Sequence, residues 1–161
     1  MNHVIFRHYG MVDKFIGDAI LAAFGVTTTD STTTENSDAA NAVACAREMM
    51  EVLREFNIQW VKEGHRPIAI GIALHRGHVV HGNVGSDTRM DYTIIGDTVN
   101  TASRVSGLNK ELGAPLLATG QVVEQLPESA RSNIVFVEER TMRGRSFPTA
   151  LYKVEFEANR P

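Results

Sequence analysis

Lys14 and Asp18 set a base and an acid four residues apart within one short apolar stretch, Met11–Gly25. Two apolar runs, Val12–Ile16 and Ala19–Phe24, flank Gly17-Asp18. A Gly-Asp pair in that setting predicts a hairpin with a tight primed turn, because glycine accepts the positive φ of the first turn position. The turn would hold Asp18 at its tip, where a carboxylate can meet a metal or a ligand. Lys14 has Asp13 and Asp18 as available ion-pair partners, so the hairpin is either a salt-bridged surface ribbon or part of a site.

Other groups could also do chemistry. His75, His78 and His81 fall within seven residues and suggest zinc. Residues three apart in a strand point to opposite faces, however, and no fourth ligand lies near, so metal binding there is disfavoured. Asn100 and Arg104 are four apart in a helical pattern and share one face. Met142–Ser146, with Arg143-Gly144-Arg145, makes a basic turn. Cys45 lies in an apolar helical stripe and reads as a small filler.

These residues need elements to hold them. Met1–Tyr9 reads as the last turns of a helix. Thr27–Asp38 is polar and rich in threonine, and 27–36 is expected to be a mobile surface loop. A helix capped by Ser37 or Asp38 should run to about Glu63, burying Val43, Ala46, Met50, Leu53, Phe56 and Trp60. Gly64 and Pro67 stop it. Ile68–His75 alternates as a strand, with His78–Val84 as its expected hairpin partner and Gly85–Met90 as a loop. Tyr92–Ile95 is a strand, and Asp97 or Thr98 opens a helix to about Leu112. Pro115–Ala118 is a strand, and Thr119 caps a short helix through Leu126. Ile134–Val137 and Ala150–Phe156 are strands on either side of the basic turn. This order predicts an α+β sandwich: an antiparallel or mixed sheet with helices packed mainly on one face.

The chain has 161 residues, of which 43% are hydrophobic, enough for one domain with a core. A net charge of −3 gives no basic field for nucleic acid or anionic lipid. The apolar runs are too short to insert in a membrane, and the single cysteine fits a reducing compartment. A cytoplasmic location is expected, including that of a cytoplasmic part of a larger, membrane-attached protein.

FIGDAILAAFG, GIALHRGHVVHGNVGS and DYTIIGDTVNTASRV together resemble the catalytic domain of class III nucleotidyl cyclases. The likeness runs in the same order over most of residues 1–161. It implies a ferredoxin-like α+β fold working as a head-to-tail dimer, with sites at the dimer interface. It implies adenylate cyclase activity, turning ATP into 3′,5′-cyclic AMP and pyrophosphate with Mg²⁺ or Mn²⁺. By position, Asp18 matches a metal-binding aspartate. Lys14 and Thr93 match the pair that reads the purine. Asn100 matches the residue that orients the ribose, and Arg104 the one that stabilises charge on the α-phosphate. Arg145, or else Arg143, stands where the family has a lysine on the terminal phosphates. Family members that read ATP pair Lys with Thr or Asp, whereas guanylate cyclases favour Glu with Cys or a similar small residue. Nothing before Met11 matches the family's first metal-binding aspartate, so the first strand and most of the first helix are expected to be absent. That leaves alternative readings. The chain could be a pseudo-cyclase or fragment that binds nucleotide and dimerises, a partner of a full-length cyclase domain in a heterodimer, or a guanylate cyclase.

Overall fold

The computed structural model describes residues 1–26, 35–86, 88–144 and 147–156. The chain opens with helix α1 (Asn2–Arg7), followed by the hairpin strands β1 (Met11–Ile16) and β2 (Ala19–Ala23). Helix α2 (Glu35–Lys62) leads to β3 (Ile72–Leu74), then to β4 (Val80–Ser86) and β5 (Arg89–Ile95). Helix α3 (Asp97–Ser106), β6 (Leu116–Thr119), α4 (Gly120–Val123), β7 (Ile134–Thr141) and β8 (Pro148–Val154) complete the fold.

A four-stranded mixed sheet in the order β3-β6-β8-β7 is the frame, with β3 parallel to β6 and the other pairs antiparallel. Side chains alternate across β6, and the core divides accordingly. Leu116 and Ala118 face Val43 and Ala46 of α2 and Val122 of α4. Leu117 faces the other way, with Val105 of α3, Leu151 and Met142. Fully burying a side chain such as Leu117 contributes roughly 1.5–3 kcal/mol, so both faces are firmly held. Helices α2 and α4 thus pack on one side of the sheet and α3 on the other. α1 joins α2 through Val4, Ile5 and Cys45, against Val12, Ile20, Ala22 and Phe24 of the first hairpin. Arg7 and His8 both reach Glu48 of α2, each at 2.6 Å.

Several expected boundaries are corrected. α2 begins at Glu35, so residues 35 and 36 are helical; the rest of the expected loop, 27–34, lies outside the described residues. No glycine or proline separates Glu35 from Ala40 to stop the helix earlier. Phe56 is exposed and stacks on Trp60, which stacks in turn on His65. The strand expected over Ile68–His75 shrinks to Ile72–Leu74. Asn57 occupies the backbone that would have paired: its side-chain amide donates to Ile68 O at 2.7 Å and accepts from Ile68 N at 2.8 Å. The 78–84 segment does not pair with β3. It pairs with β5 in a separate two-stranded sheet from Val80↔Ile95 to Ser86↔Arg89, so most of the expected 85–90 loop is strand. The helix from Asp97 ends at Ser106, and turns carry the chain to Gly113.

Candidate active site

The first hairpin closes over Gly17-Asp18, with Ile16 opposite Ala19 and Gly17 at φ 62. Asp18 is exposed at the tip and makes no ion pair or hydrogen bond with a described residue. β1 carries a bulge. Val12 faces Ala22 and Lys14 faces Leu21, so Asp13 is the extra residue between them. A bulge re-aims side chains, and here Asp13 leaves the hairpin and reaches β5. Its Oδ1 accepts from Ile94 N at 3.0 Å and its Oδ2 from Thr93 Oγ1 at 2.9 Å. Lys14 Nζ stands 3.7 Å from the same Oδ2. The Asp13 side chain is 1% exposed and the Lys14 side chain 41%. Lys14 and Thr93, distant in sequence, are therefore joined by one buried carboxylate oxygen. Nothing in the sequence reading gave Asp13 this role; the available signal was an acid in an otherwise apolar strand.

Thr93 itself is buried, at 4% exposure, so it can form only the floor of a purine site. β5 then hands the chain to α3 through Gly96, whose φ of 147 is open to glycine alone among ordinary residues. Thr98 Oγ1 donates to His78 O at 2.6 Å and ties the start of α3 to the segment just before β4. Asp97, Asn100 and Arg104 recur along one face of α3. Asn100 is exposed. Arg104 Nη1 lies 4.0 Å from Asp97 Oδ1 and is buried without a hydrogen bond to any described residue. Arg143 is exposed in the turn after β7, and Arg145 lies outside the described residues. The basic turn is thus present at Arg143, with no described contact to the other candidates.

Two of the three histidines do other work. His75 Nδ1 is 2.9 Å from Thr119 Oγ1, and the His81 ring meets Tyr92 edge-on at 4.7 Å. Among the described residues no three His, Cys, Asp or Glu side chains gather as a metal site. Asp18 alone offers one carboxylate. That suits Mg²⁺ only where phosphates and waters fill its other positions, and it does not make a two-metal centre by itself.

The adenylate and guanylate cyclase catalytic domain model matches residues 1–153. The chain belongs to this family. The adenylate cyclase of Anabaena cylindrica is 38% identical over 161 residues, covering 96% of this chain and 30% of the relative. Adenylate cyclase 1 of Rhizobium meliloti (strain 1021) is 32% identical over 153 residues, covering 95% of this chain and 22% of the relative. The chain thus spans less than a third of these relatives. Among solved structures, the adenylyl cyclase CyaB from P. aeruginosa aligns at TM-score 0.73 and 31% identity, covering 96% of this chain and 76% of that one. The guanylyl cyclase Cya2 aligns equally well, at TM-score 0.73 and 29% identity, covering 98% and 77%. The fold is therefore that of a class III cyclase domain, a family that works as dimers and generally uses divalent metals. Equal likeness to an adenylyl and a guanylyl enzyme leaves the purine to be argued from side chains. No helix among the described residues is long and apolar enough to cross a membrane.

Proposed function

We propose that this cyclase domain is an adenylate cyclase, converting ATP to 3′,5′-cyclic AMP and pyrophosphate at the interface of a head-to-tail dimer. The observation that carries the purine choice is the Lys14–Asp13–Thr93 cluster. Lys14 donates to a ring acceptor of adenine, and Thr93 accepts from the exocyclic amine. Guanine presents a protonated ring nitrogen at the corresponding place, donor against donor. Asn100 orients the ribose so that its 3′-oxygen faces the α-phosphorus. As that oxygen bonds to phosphorus and the bond to pyrophosphate breaks, charge grows on the α-phosphoryl oxygens. Arg104 meets it with a donor that has no hydrogen bond to any described residue. Arg143 and Arg145 hold the terminal phosphates. A divalent cation held by Asp18, the phosphates and water would neutralise triphosphate charge and ease ionisation of the 3′-hydroxyl. Exposed Phe15 and Ile16 on the first hairpin, with Val80, Tyr92 and Ile95 on the second, support pairing with another cyclase domain.

The second reading, a nucleotide-binding module without turnover, is favoured by the lack, among the described residues, of any three His, Cys, Asp or Glu side chains gathered to hold a metal. One experiment separates the two. The purified chain is incubated with ATP and Mg²⁺ or Mn²⁺, and cyclic AMP is measured beside Asp18→Ala. Cyclic AMP from the parent chain that disappears in Asp18→Ala supports the enzyme. Binding of ATP with no cyclic AMP under either metal supports the module.

A further inference from the structure

We propose that Asp13 sets the hydrogen-bond polarity of Thr93 and thereby makes the site select adenine over guanine. This rests on the reading that Lys14 and Thr93 face the purine. The bond from Ile94 N to Asp13 Oδ1 at 3.0 Å fixes the rotation of the carboxylate. Oδ2 is then aimed at Thr93 Oγ1, 2.9 Å away. A threonine hydroxyl has one hydrogen to give and lone pairs to offer, and a carboxylate only accepts. The alternative acceptor for that hydrogen, Ile94 O, lies farther off at 3.4 Å and is uncharged. The shorter, charge-assisted bond takes the proton. Thr93 is left with lone pairs alone for a ligand. Adenine's exocyclic amine donates to them; guanine's exocyclic oxygen meets them lone pair to lone pair. The ion pair at 3.7 Å keeps Lys14 beside the same oxygen, so one buried carboxylate orders both purine-reading groups. Asp13 is a positioning residue, since it acts through Thr93 and Lys14.

The isosteric change Asp13→Asn inverts this arrangement. Its oxygen keeps the bond from Ile94 N, which places its NH₂ on Thr93. Thr93 then accepts from Asn, and its proton turns to the ligand, where guanine's oxygen is the better partner. The test measures binding of 3′-deoxy-ATP and 3′-deoxy-GTP, which cannot cyclise, by calorimetry on the full chain with Mg²⁺. The readout is the ratio of the two dissociation constants in the parent chain, Asp13→Asn, Thr93→Ala and the double variant. The parent should prefer the adenine nucleotide. Asp13→Asn should cut that preference by about tenfold or more, the scale of one mispaired buried hydrogen bond. In the Thr93→Ala background the same change should leave the ratio where it is. An unmoved ratio in a folded Asp13→Asn, or an equal shift without the Thr93 hydroxyl, overturns the proposal while leaving the adenine reading in place. A parent chain that binds both nucleotides equally overturns the adenine reading and the proposal with it. If Asp13→Asn does not fold, Thr93→Asn tests the lock from the other side. Asp13 would accept its NH₂ and leave its carbonyl toward the purine, so adenine preference should persist; a turn to guanine overturns the proposal.

Discussion

Arg104→Ala should separate turnover from both binding and stability. In the resting chain Arg104 does little to hold the fold. Its ion pair with Asp97 is 4.0 Å long and joins side chains 37% and 60% exposed. Pairs of that kind are worth about 1 kcal/mol or less. For a domain of this size the melting temperature should fall by roughly 3 °C or less. The role proposed for Arg104 lies in the transition state, where charge builds on the α-phosphate. Removing one preorganised donor from such charge costs about 100- to 1,000-fold in kcat, which is roughly 3–4 kcal/mol. Because ground-state ATP gains little from this donor, KM should move by less than about threefold. The assay is steady-state cyclic AMP formation over a range of ATP, paired with thermal unfolding of the same preparations. A rise in KM with kcat unchanged would make Arg104 a ground-state phosphate binder. A kcat within about threefold of the parent would remove it from the chemistry. A fall in melting temperature well beyond about 6 °C would show that α3 depends on it structurally, against the reading of the long Asp97 contact.

Lys14→Glu combined with Thr93→Cys should move kcat/KM from ATP toward GTP; assays with each nucleotide check this, and an unchanged ratio would count against the purine reading. Cys45 is 2% exposed, and burial first, then the nearby Glu48, pushes its thiol from 9.0 to about 11. Its folded value is raised, so the stability it contributes is fully present below pH 9.0 and is lost as pH rises through about 11. Urea unfolding at stepped pH should therefore show the stability difference between the parent and Cys45→Ala holding steady below pH 9 and narrowing above it. Native chain at pH 8 should also react slowly with a thiol reagent, at the rate of opening of the α1–α2 contact; rapid labelling without unfolding would contradict the burial of Cys45.

The features that were legible in the sequence are those set by local signals. Gly17-Asp18 between apolar runs was enough for the first hairpin, and the i, i+3, i+4 pattern after Gly96 was enough for α3 with Asn100 and Arg104 on one face. Strand pairing was less legible because partners are not named locally. Ile68–His75 alternates well enough for a strand, yet the Asn57 amide takes the Ile68 backbone and leaves only Ile72–Leu74 to pair, with β6 some forty residues on. His78–Val84 follows a glycine and looked like a returning strand. Its partner is instead β5, whose Arg89 and Met90 are not the β-branched residues that announce a strand.

Asp13 exposes a different limit. In a period-two reading, Asp13 lies on the face of β1 opposite to Val12 and Lys14, away from both. The bulge breaks that period at this residue, and no composition signal marks a bulge that lacks glycine. Burying a carboxylate is costly unless its oxygens are met, and here Ile94 N, Thr93 Oγ1 and Lys14 Nζ meet them. β5 lies at the open edge of a two-stranded sheet, so the Ile94 N–H that Asp13 takes would otherwise face water or another chain. Two of these contacts, from Ile94 N and Thr93 Oγ1, also fasten the hairpin bearing Asp18 to the strand that leads into Asn100 and Arg104. Through one side chain, the hairpin that carries Lys14 and Asp18 is therefore coupled to Thr93 and to the strand that leads into α3.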